Sequence, residues 1–376
     1  MEIYLPIVQV NIDIITILFI SFAVGVLSGL FGVGGGFLMT PFLIFLGIPP
    51  VYAVPNEINN ILATSVSGSM THWFKNTLDY KMGLMIIIGG VVGTILGIIT
   101  FTFFKETGKL SLIISLSYMY LLAIIGTLML IEGAKEIDRA RKKLIMKQKL
   151  HTHYWIHGLP FKLRFPKSRL YESAFTPILL GVIVGFVAAL IGVGGAFLMV
   201  PAMIYLIGMP VKFIPGTSLF VTVFISAIVT VLHAFNFGSI DLYLVLPLIL
   251  GSIIGVQLGQ KVGQFLDSAE LKSLFAMLLI CVAVAIGYDS FFRDKGDSFN
   301  GSKVVKTDLS AFAEFTIKMS DELPILYGAF SIILAISLGV LAAAGRKFVS
   351  PIARKLLSEY KKKDNKQKEE VKFPEK

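Results

Sequence analysis

Long apolar runs alternate with short clusters of glycine, proline and charge along most of the chain. Set against those breakers, the runs fall at 12–31, 33–48, 57–75, 82–104 and 110–131, then at 174–191, 193–208, 215–236, 240–260, 271–288 and 324–345. Met82 to Phe104 and Pro324 to Gly345 reach the roughly 20 residues that span about 30 Å of hydrocarbon at 1.5 Å per residue. An open strand in lipid leaves its backbone polar groups unsatisfied, so each run predicts a helix. The runs 33–48 and 193–208 give only about 24 Å of helix each, which suits half-spans folded back on the helix before them.

The pattern repeats. "GLFGVGGGFLMTP", Gly29 to Pro41, returns 160 residues later as "ALIGVGGAFLMVP", Ala189 to Pro201, with eight of ten residues identical from Gly32 and Gly192 onward. Pro49 answers Pro210, Pro55 answers Pro215, His72 answers His233 and Asp79 answers Asp241. Gly89, Gly93 and Gly97 answer Gly251, Gly255 and Gly259, at a four-residue spacing that puts each trio on one helical face for close packing. This is an internal duplication.

Composition fits this reading. Of 376 residues, 55% are hydrophobic and 15% charged, and the mean hydropathy is +0.79, outside the range of water-soluble globular domains. The opening "MEIYLPIVQVNID" has no basic n-region and no small-residue cleavage site, so it does not read as a signal peptide. A single cysteine, Cys281, in an apolar run excludes a disulfide framework and a thiolate metal site.

The net charge of +10 is concentrated. Glu132 to Glu172 holds eleven Lys/Arg against four acids, and the tail from Arg346 holds eleven against five. By the positive-inside rule both are cytoplasmic, and topology explains these clusters better than nucleic-acid binding does. Five runs precede the first cluster, so the amino terminus is expected outside, the carboxyl terminus in the cytoplasm, and the acidic 289–323 stretch outside. Two repeats of odd length then have opposite orientation, as in secondary transporters.

A glycine break frees backbone N–H and C=O groups that cost several kcal/mol each in lipid unless something satisfies them. Where a helix restarts after Gly34, Gly35 and Gly36, or after Gly194 and Gly195, its first N–H groups and its dipole favour an anion. No Gly-Lys-Ser/Thr follows, which excludes a nucleotide-phosphate loop. The third run of each repeat adds polar groups. Asn56, Asn60, Ser67 and Thr71 share roughly one helical face, as do Ser218, Thr222, Ser226 and Thr230. His72 and His233 sit near run ends, where packing and proton handling compete. Asp79 and Asp241 read as caps of the following helices. The word "HTHYWIH", His151 to His157, has three imidazoles but no Cys, Asp or Glu beside them, and is read as basic loop rather than metal site. No catalytic elbow or His-Glu-x-x-His is present, so the chain is not read as an enzyme and no cofactor is expected.

"GVGGGFLMTP" and "GVGGAFLMVP", each followed by a Pro-containing turn and a polar helix ending in His, resemble the sulfite exporter TauE/SafE family of membrane anion transporters over about 12–288. The resemblance implies an inverted-repeat helical bundle in the cell membrane that moves sulfite, thiosulfate, sulfoacetate or related anions. Its motif falls here on Gly32, Gly34, Gly35, Gly36 and Pro41, and on Gly192, Gly194, Gly195 and Pro201. "PGTSL", Pro215 to Leu219, is similar to the family pattern and adds Gly216, Thr217 and Ser218, whereas the first repeat departs with "PNEIN", Pro55 to Asn59. Members that move thiosulfate use cysteines along the path, and this chain has only Cys281.

The expected fold is an all-α polytopic membrane protein of two inverted-topology repeats with Gly-broken hairpin helices, plus one extra C-terminal span. Its parts are a first transmembrane repeat (1–131), a basic cytoplasmic loop (132–173), a second repeat (174–288), an extracytoplasmic loop (289–323), an extra transmembrane helix (324–345) and a basic cytoplasmic tail (346–376). The expected function is secondary transport of a small anion by alternating access, with an anion channel of the same architecture as the alternative. Candidate substrate-binding residues are Gly32, Gly34, Gly35, Gly36, Asn56, Asn60, Gly192, Gly194, Gly195, Gly216, Thr217 and Ser218, with His72 and His233 on a proton or polar pathway. The expected partners are the anionic substrate, the lipid bilayer, and a coupling proton or sodium ion.

Overall fold

A computed structural model describes residues 2–31, 38–141, 161–210, 212–262, 268–292 and 311–344. An antiparallel hairpin, β1 (Glu2–Leu5) and β2 (Val10–Asp13), leads into α1 (Ile14–Phe31), α2 (Met39–Phe45), α3 (Pro50–Phe74), α4 (Tyr80–Glu106) and α5 (Leu110–Arg141). The same order then recurs as β3 (Lys162–Phe165), β4 (Leu170–Ser173), α6 (Phe175–Ile191), α7 (Ala196–Tyr205), α8 (Ile214–Phe237), α9 (Leu242–Val262) and α10 (Ser268–Phe292). Two further helices follow, α11 (Ala311–Glu322) and α12 (Pro324–Ala344).

The hairpins are additions to the expected plan. Each is two four-residue strands joined by a tight turn, with Gln9 and Arg169 in the left-handed region at φ 61° and 56°. They lie 160 residues apart, so the duplication reaches back to the start of the chain and into the basic 132–173 segment. Strands this short carry little periodicity, and the turns lack the Asn-Gly or Gly-Gly pair that signals a hairpin. Likewise α11 lies inside the 289–323 stretch, which reads as loop from hydropathy alone.

The dominant helix pairs are α1 with α9, α4 with α6, α3 with α8, and α5 with α10. Each pair therefore joins one half of the chain to the other. Glycine is the reason α4 and α6 come so close: a Cβ on Gly89 would lie 1.9 Å from the Ile178 carbonyl oxygen, and one on Gly93 would lie 2.0 Å from that of Val182. The matching pair α1 and α9 shows the same device at Gly255 and Gly259, against the carbonyls of Phe22 and Val26. The face of α4 away from its glycines exposes Leu84, Ile88, Val92, Ile95, Ile99 and Phe103. An apolar stripe turned outward with small residues inward is the reverse of a water-soluble helix and suits hydrocarbon.

Among the described residues five helices are long and apolar enough to cross a membrane, α4, α5, α8, α9 and α12. Helix α3 is long enough but too polar to count with them, and the fold encloses it: from Ala53 to Ser65 every residue is buried. It packs on α8 and α9 and touches α2, α5 and α6. Polar residues that lipid would reject are thus sequestered at the interface between the halves.

Candidate functional site

The site is built around α3 and α8. Pro50 occupies the first turn of α3, where its missing N–H costs nothing, and Pro55 follows within the helix. Asn56 then ties this start to the α8–α9 turn. Its Nδ2 donates to the carbonyls of Tyr52 (2.6 Å) and Ser239 (3.1 Å), and its Oδ1 accepts the Asp241 backbone N–H at 2.7 Å. At the far end Thr217 occupies the matching place on α8: its Oγ1 accepts the Asp79 backbone N–H at 3.0 Å and donates to the Phe213 carbonyl. This structural equivalence, in the register of His72 and His233 and one residue on from that of Pro55 and Pro215, sets Asn56 against Thr217 and Glu57 against Ser218.

The two aspartates are caps, as their position before α4 and α9 predicts. The Asp79 carboxylate accepts the Met82 N–H and that of Asp241 accepts the Tyr243 N–H. They also do more. Asp79 receives the N–H and hydroxyl of Ser168 in the β3–β4 turn, and Asp241 receives the N–H groups of Ile7 and Val8 in the β1–β2 turn. Each hairpin is held by an aspartate from the other half.

Gly32, Gly34, Gly35 and Gly36 lie outside the described residues, as does the His151–His157 word. Between α6 and α7 the chain turns through Gly192, Gly194 and Gly195, all left-handed at φ 85°, 69° and 76°, which only glycine adopts without strain. The turn is buried against α3 and α6. A Cβ on Gly192 would meet Val54 at 3.0 Å, one on Gly194 would meet Ile61 at 2.5 Å, and one on Gly195 would meet Val184 at 2.3 Å. Ile61 stands midway along α3, so the turn reaches the middle of the bundle. In this conformation aliphatic side chains close over it.

The other sequence candidates divide. Gly216 is a packing position, since a Cβ there would lie 2.5 Å from the Thr77 carbonyl and 2.8 Å from the His72 Cβ. Ser218 donates to the Pro215 carbonyl. His72 pairs its Nδ1 with the Thr77 hydroxyl at 2.8 Å, near the end of α3. His233 is fully buried in a cluster with the rings of Phe101 and Phe237. Its Nε2 faces the Ala189 carbonyl at 3.1 Å, in the last turn of α6 before Gly192. A carbonyl only accepts, so Nε2 carries the hydrogen and Nδ1 is the acceptor nitrogen. That Nδ1 has no partner, and neither do the buried hydroxyls of Thr230 and Ser226, one and two turns earlier on the same face of α8.

On α3 the Asn59 amide, missed by the sequence candidates, has no partner at either atom, and the Ser65 hydroxyl has none. Asn60 donates from Nδ2 to both Glu57 oxygens, and its Oδ1 meets the Ser252 hydroxyl of α9. Buried polar groups are nearly always bonded, which sets these unbonded groups on α3 and α8 apart. Among the described residues no group of three His, Cys, Asp or Glu is placed to hold a metal.

A helical bundle with a lipid-suited exterior and a polar seam between duplicated halves defines a multi-pass membrane transporter. Residues 17–286 match the sulfite exporter TauE/SafE family, and the chain belongs to it. It is 30% identical over 269 residues to the probable membrane transporter protein YjnA of Bacillus subtilis, covering 71% of this chain and 96% of that one. It is 28% identical over 282 residues to YunE of the same organism, similarly described, covering 71% and 95%. A probable membrane transporter protein of Xylella fastidiosa is 25% identical over 272 residues. No solved structure matches the chain.

Proposed function

We propose that this protein is a secondary transporter of the cell membrane that carries a small anion, sulfite, a sulfonate or a related sulfur or organic anion, by alternating access between two inverted repeats. The single observation that carries this reading is the set of unbonded buried groups, Ser226, Thr230 and His233 Nδ1 on α8 with Asn59 and Ser65 on α3, close to a left-handed glycine turn. Helix pairing supports the repeats: α1–α9 and α4–α6 are the same contact made twice, with the halves exchanged. The basic clusters support a topology with the amino terminus outside and the carboxyl terminus in the cytoplasm.

Hydroxyl and amide donors would meet the anion together with the N–H groups that open α7 and those that follow Gly34, Gly35 and Gly36. Each helix start adds about 0.3–1 kcal/mol toward a negative charge, and about 2 kcal/mol when partly buried. Loading requires Ile61 and Val54 to move off Gly194 and Gly192, which a shift of α3 against α6 accomplishes. Family relatives described as transporters argue for a carrier over a conductive pore. Proteoliposomes given labelled sulfite, sulfoacetate, isethionate and a carboxylate control test it. Saturable uptake with counterflow, lost in Gly194→Leu protein that is folded and inserted, is the expected result. Normal uptake by that variant, or non-saturating conductive flux, overturns the proposed site and mechanism respectively.

A further inference from the structure

Glu57 lies fully buried on α3, and among the described residues no lysine, arginine or histidine pairs with it. Its two oxygens share one donor group, the Asn60 Nδ2, at 3.3 and 3.2 Å. Asn60 in turn meets Ser252, whose Oγ is also 2.7 Å from the Leu248 carbonyl. Ser21 of α1 reaches that same carbonyl.

The hydrogen count of this chain admits two settings. Ser252 has one hydroxyl hydrogen and three acceptors within reach, Asn60 Oδ1, the Leu248 carbonyl and, at 3.4 Å, the Ile249 carbonyl, and the amide orientation of Asn60 follows the network around it. If Ser252 donates to Asn60 Oδ1, the Asn60 amide nitrogen faces Glu57 and stabilises a carboxylate. If Ser252 donates to the Leu248 carbonyl, the amide turns over: Nδ2 donates to Ser252 Oγ, and Oδ1 faces Glu57 and requires it to donate an O–H. The Glu57–Asn60–Ser252 chain of hydrogen bonds is continuous in both settings, and they differ by one proton on Glu57.

We propose that Glu57 is a proton-binding site of the transport cycle, loaded and unloaded as Asn60 turns and Ser252 switches its donor between α3 and α9. This rests on the transporter reading above. The proton comes from water on one side and returns to water on the other, with no electron transfer. A sodium site fits less well in the first setting, because Asn60 turns its amide donor rather than its carbonyl oxygen toward the carboxyl group. Among the described residues the surroundings supply no competing charge, and α12, which meets Ala63 and Val66 through Gly339, has Tyr327 as its one titratable side chain. Tyr118 of α5 stands in the field of the carboxyl, α2 and α6 carry no titratable side chain, and His233 of α8 is held at Ala189. On α9, Tyr243 and Lys261 lie at opposite ends, and Asp241 before it turns its carboxylate to the Ile7 and Val8 amides. The matching position in the second half is Ser218, so the device is single and one proton accompanies each cycle.

Infrared difference spectroscopy of the purified full-length protein between acidic and alkaline pH tests the proposal. The expected result is a protonated-carboxyl carbonyl band that titrates above the range of exposed acids and disappears in Glu57→Gln, while Ser252→Ala keeps that band and moves its pH midpoint by about half a unit or more. A band that survives in Glu57→Gln overturns the proposal, and an unmoved midpoint in Ser252→Ala overturns the relay even if Glu57→Gln fails to fold. In proteoliposomes, isethionate serves as probe because its charge is fixed across this range. An inward acid gradient is expected to speed its uptake about tenfold in the wild type and to leave Glu57→Gln unaccelerated. Acceleration retained by Glu57→Gln overturns coupling through this group. If no probe anion moves in the wild type, the transporter reading falls, while the band still decides the proton site.

Discussion

The Asp79 carboxylate accepts the Ser168 hydroxyl at 2.6 Å and the Ser168 N–H at 3.1 Å, binding the head of α4 to a hairpin 89 residues later. Asp241 repeats the arrangement on Ile7 and Val8, with donor distances of 2.9 and 3.3 Å. Hairpins that hydropathy does not reveal are therefore the partners of aspartates that the sequence reads as simple caps.

Removing either carboxylate strands several buried N–H groups. Asp79→Ala and Asp241→Ala are each expected to cost about 2–4 kcal/mol, and Ser168→Ala about 1–2 kcal/mol. Thermal unfolding of the variants in detergent checks this. A Ser168→Ala effect as large as that of Asp79→Ala would mean that the cap and the hairpin do not contribute separately.

The glycine seams predict a sharp contrast between opposite faces of one helix. Gly93→Ala places a methyl 2.0 Å from the Val182 oxygen, so α4 and α6 must separate, at a cost of about 1–3 kcal/mol or more. Val92→Ala, one residue away on the exposed stripe, is expected to change stability by about 0.5 kcal/mol or less. Similar unfolding midpoints for the two variants would contradict the packing described.

Close contact between Gly194 and Ile61 predicts energetic coupling. Gly194→Ala is destabilising both through its left-handed backbone and through the clash with Ile61. Ile61→Ala removes the clash but not the strain. In a double-mutant cycle the pair is expected to recover about 1 kcal/mol or more, and simple additivity would mean that the turn does not press on α3.

Unbonded polar groups predict a trade between stability and transport. Asn59→Leu, Ser226→Ala and Thr230→Val each remove a buried group that lacks a partner, and each is expected to raise stability by about 1 kcal/mol. The same changes are expected to reduce proteoliposome uptake about tenfold or more. Stabilisation with unchanged uptake would remove these residues from the proposed path.

Much of the architecture was legible in the chain because it depends on local composition. Apolar runs at 82–104 and 215–236 fall within α4 and α8 to within a few residues, since hydrocarbon thickness and helical rise fix the length of a span. The four-residue glycine spacing correctly marked helix faces for close packing. The hairpins and α11 escaped because four-residue strands and a short amphipathic helix leave no long apolar signature.

Within the candidate site, residue type was a partial guide. Asn56 and Thr217 were identifiable as polar groups at helix starts, but nothing in their spacing says that each would receive an aspartate N–H from the other half. Glu57 was visible as a departure at "PNEIN". Its isolation, and its link through Asn60 to Ser252, exist only because α3 lies against α9.

By itself the sequence determined a membrane-embedded, internally duplicated helical chain and its family, because hydropathy, glycine spacing and a repeated motif are properties of neighbouring residues. Tertiary structure decided which helices pair across the duplication, which polar groups go unbonded at the interface, and that Val54 and Ile61 close over the second glycine turn. Those outcomes depend on contacts between residues far apart in the chain, which close packing selects and local pattern does not encode.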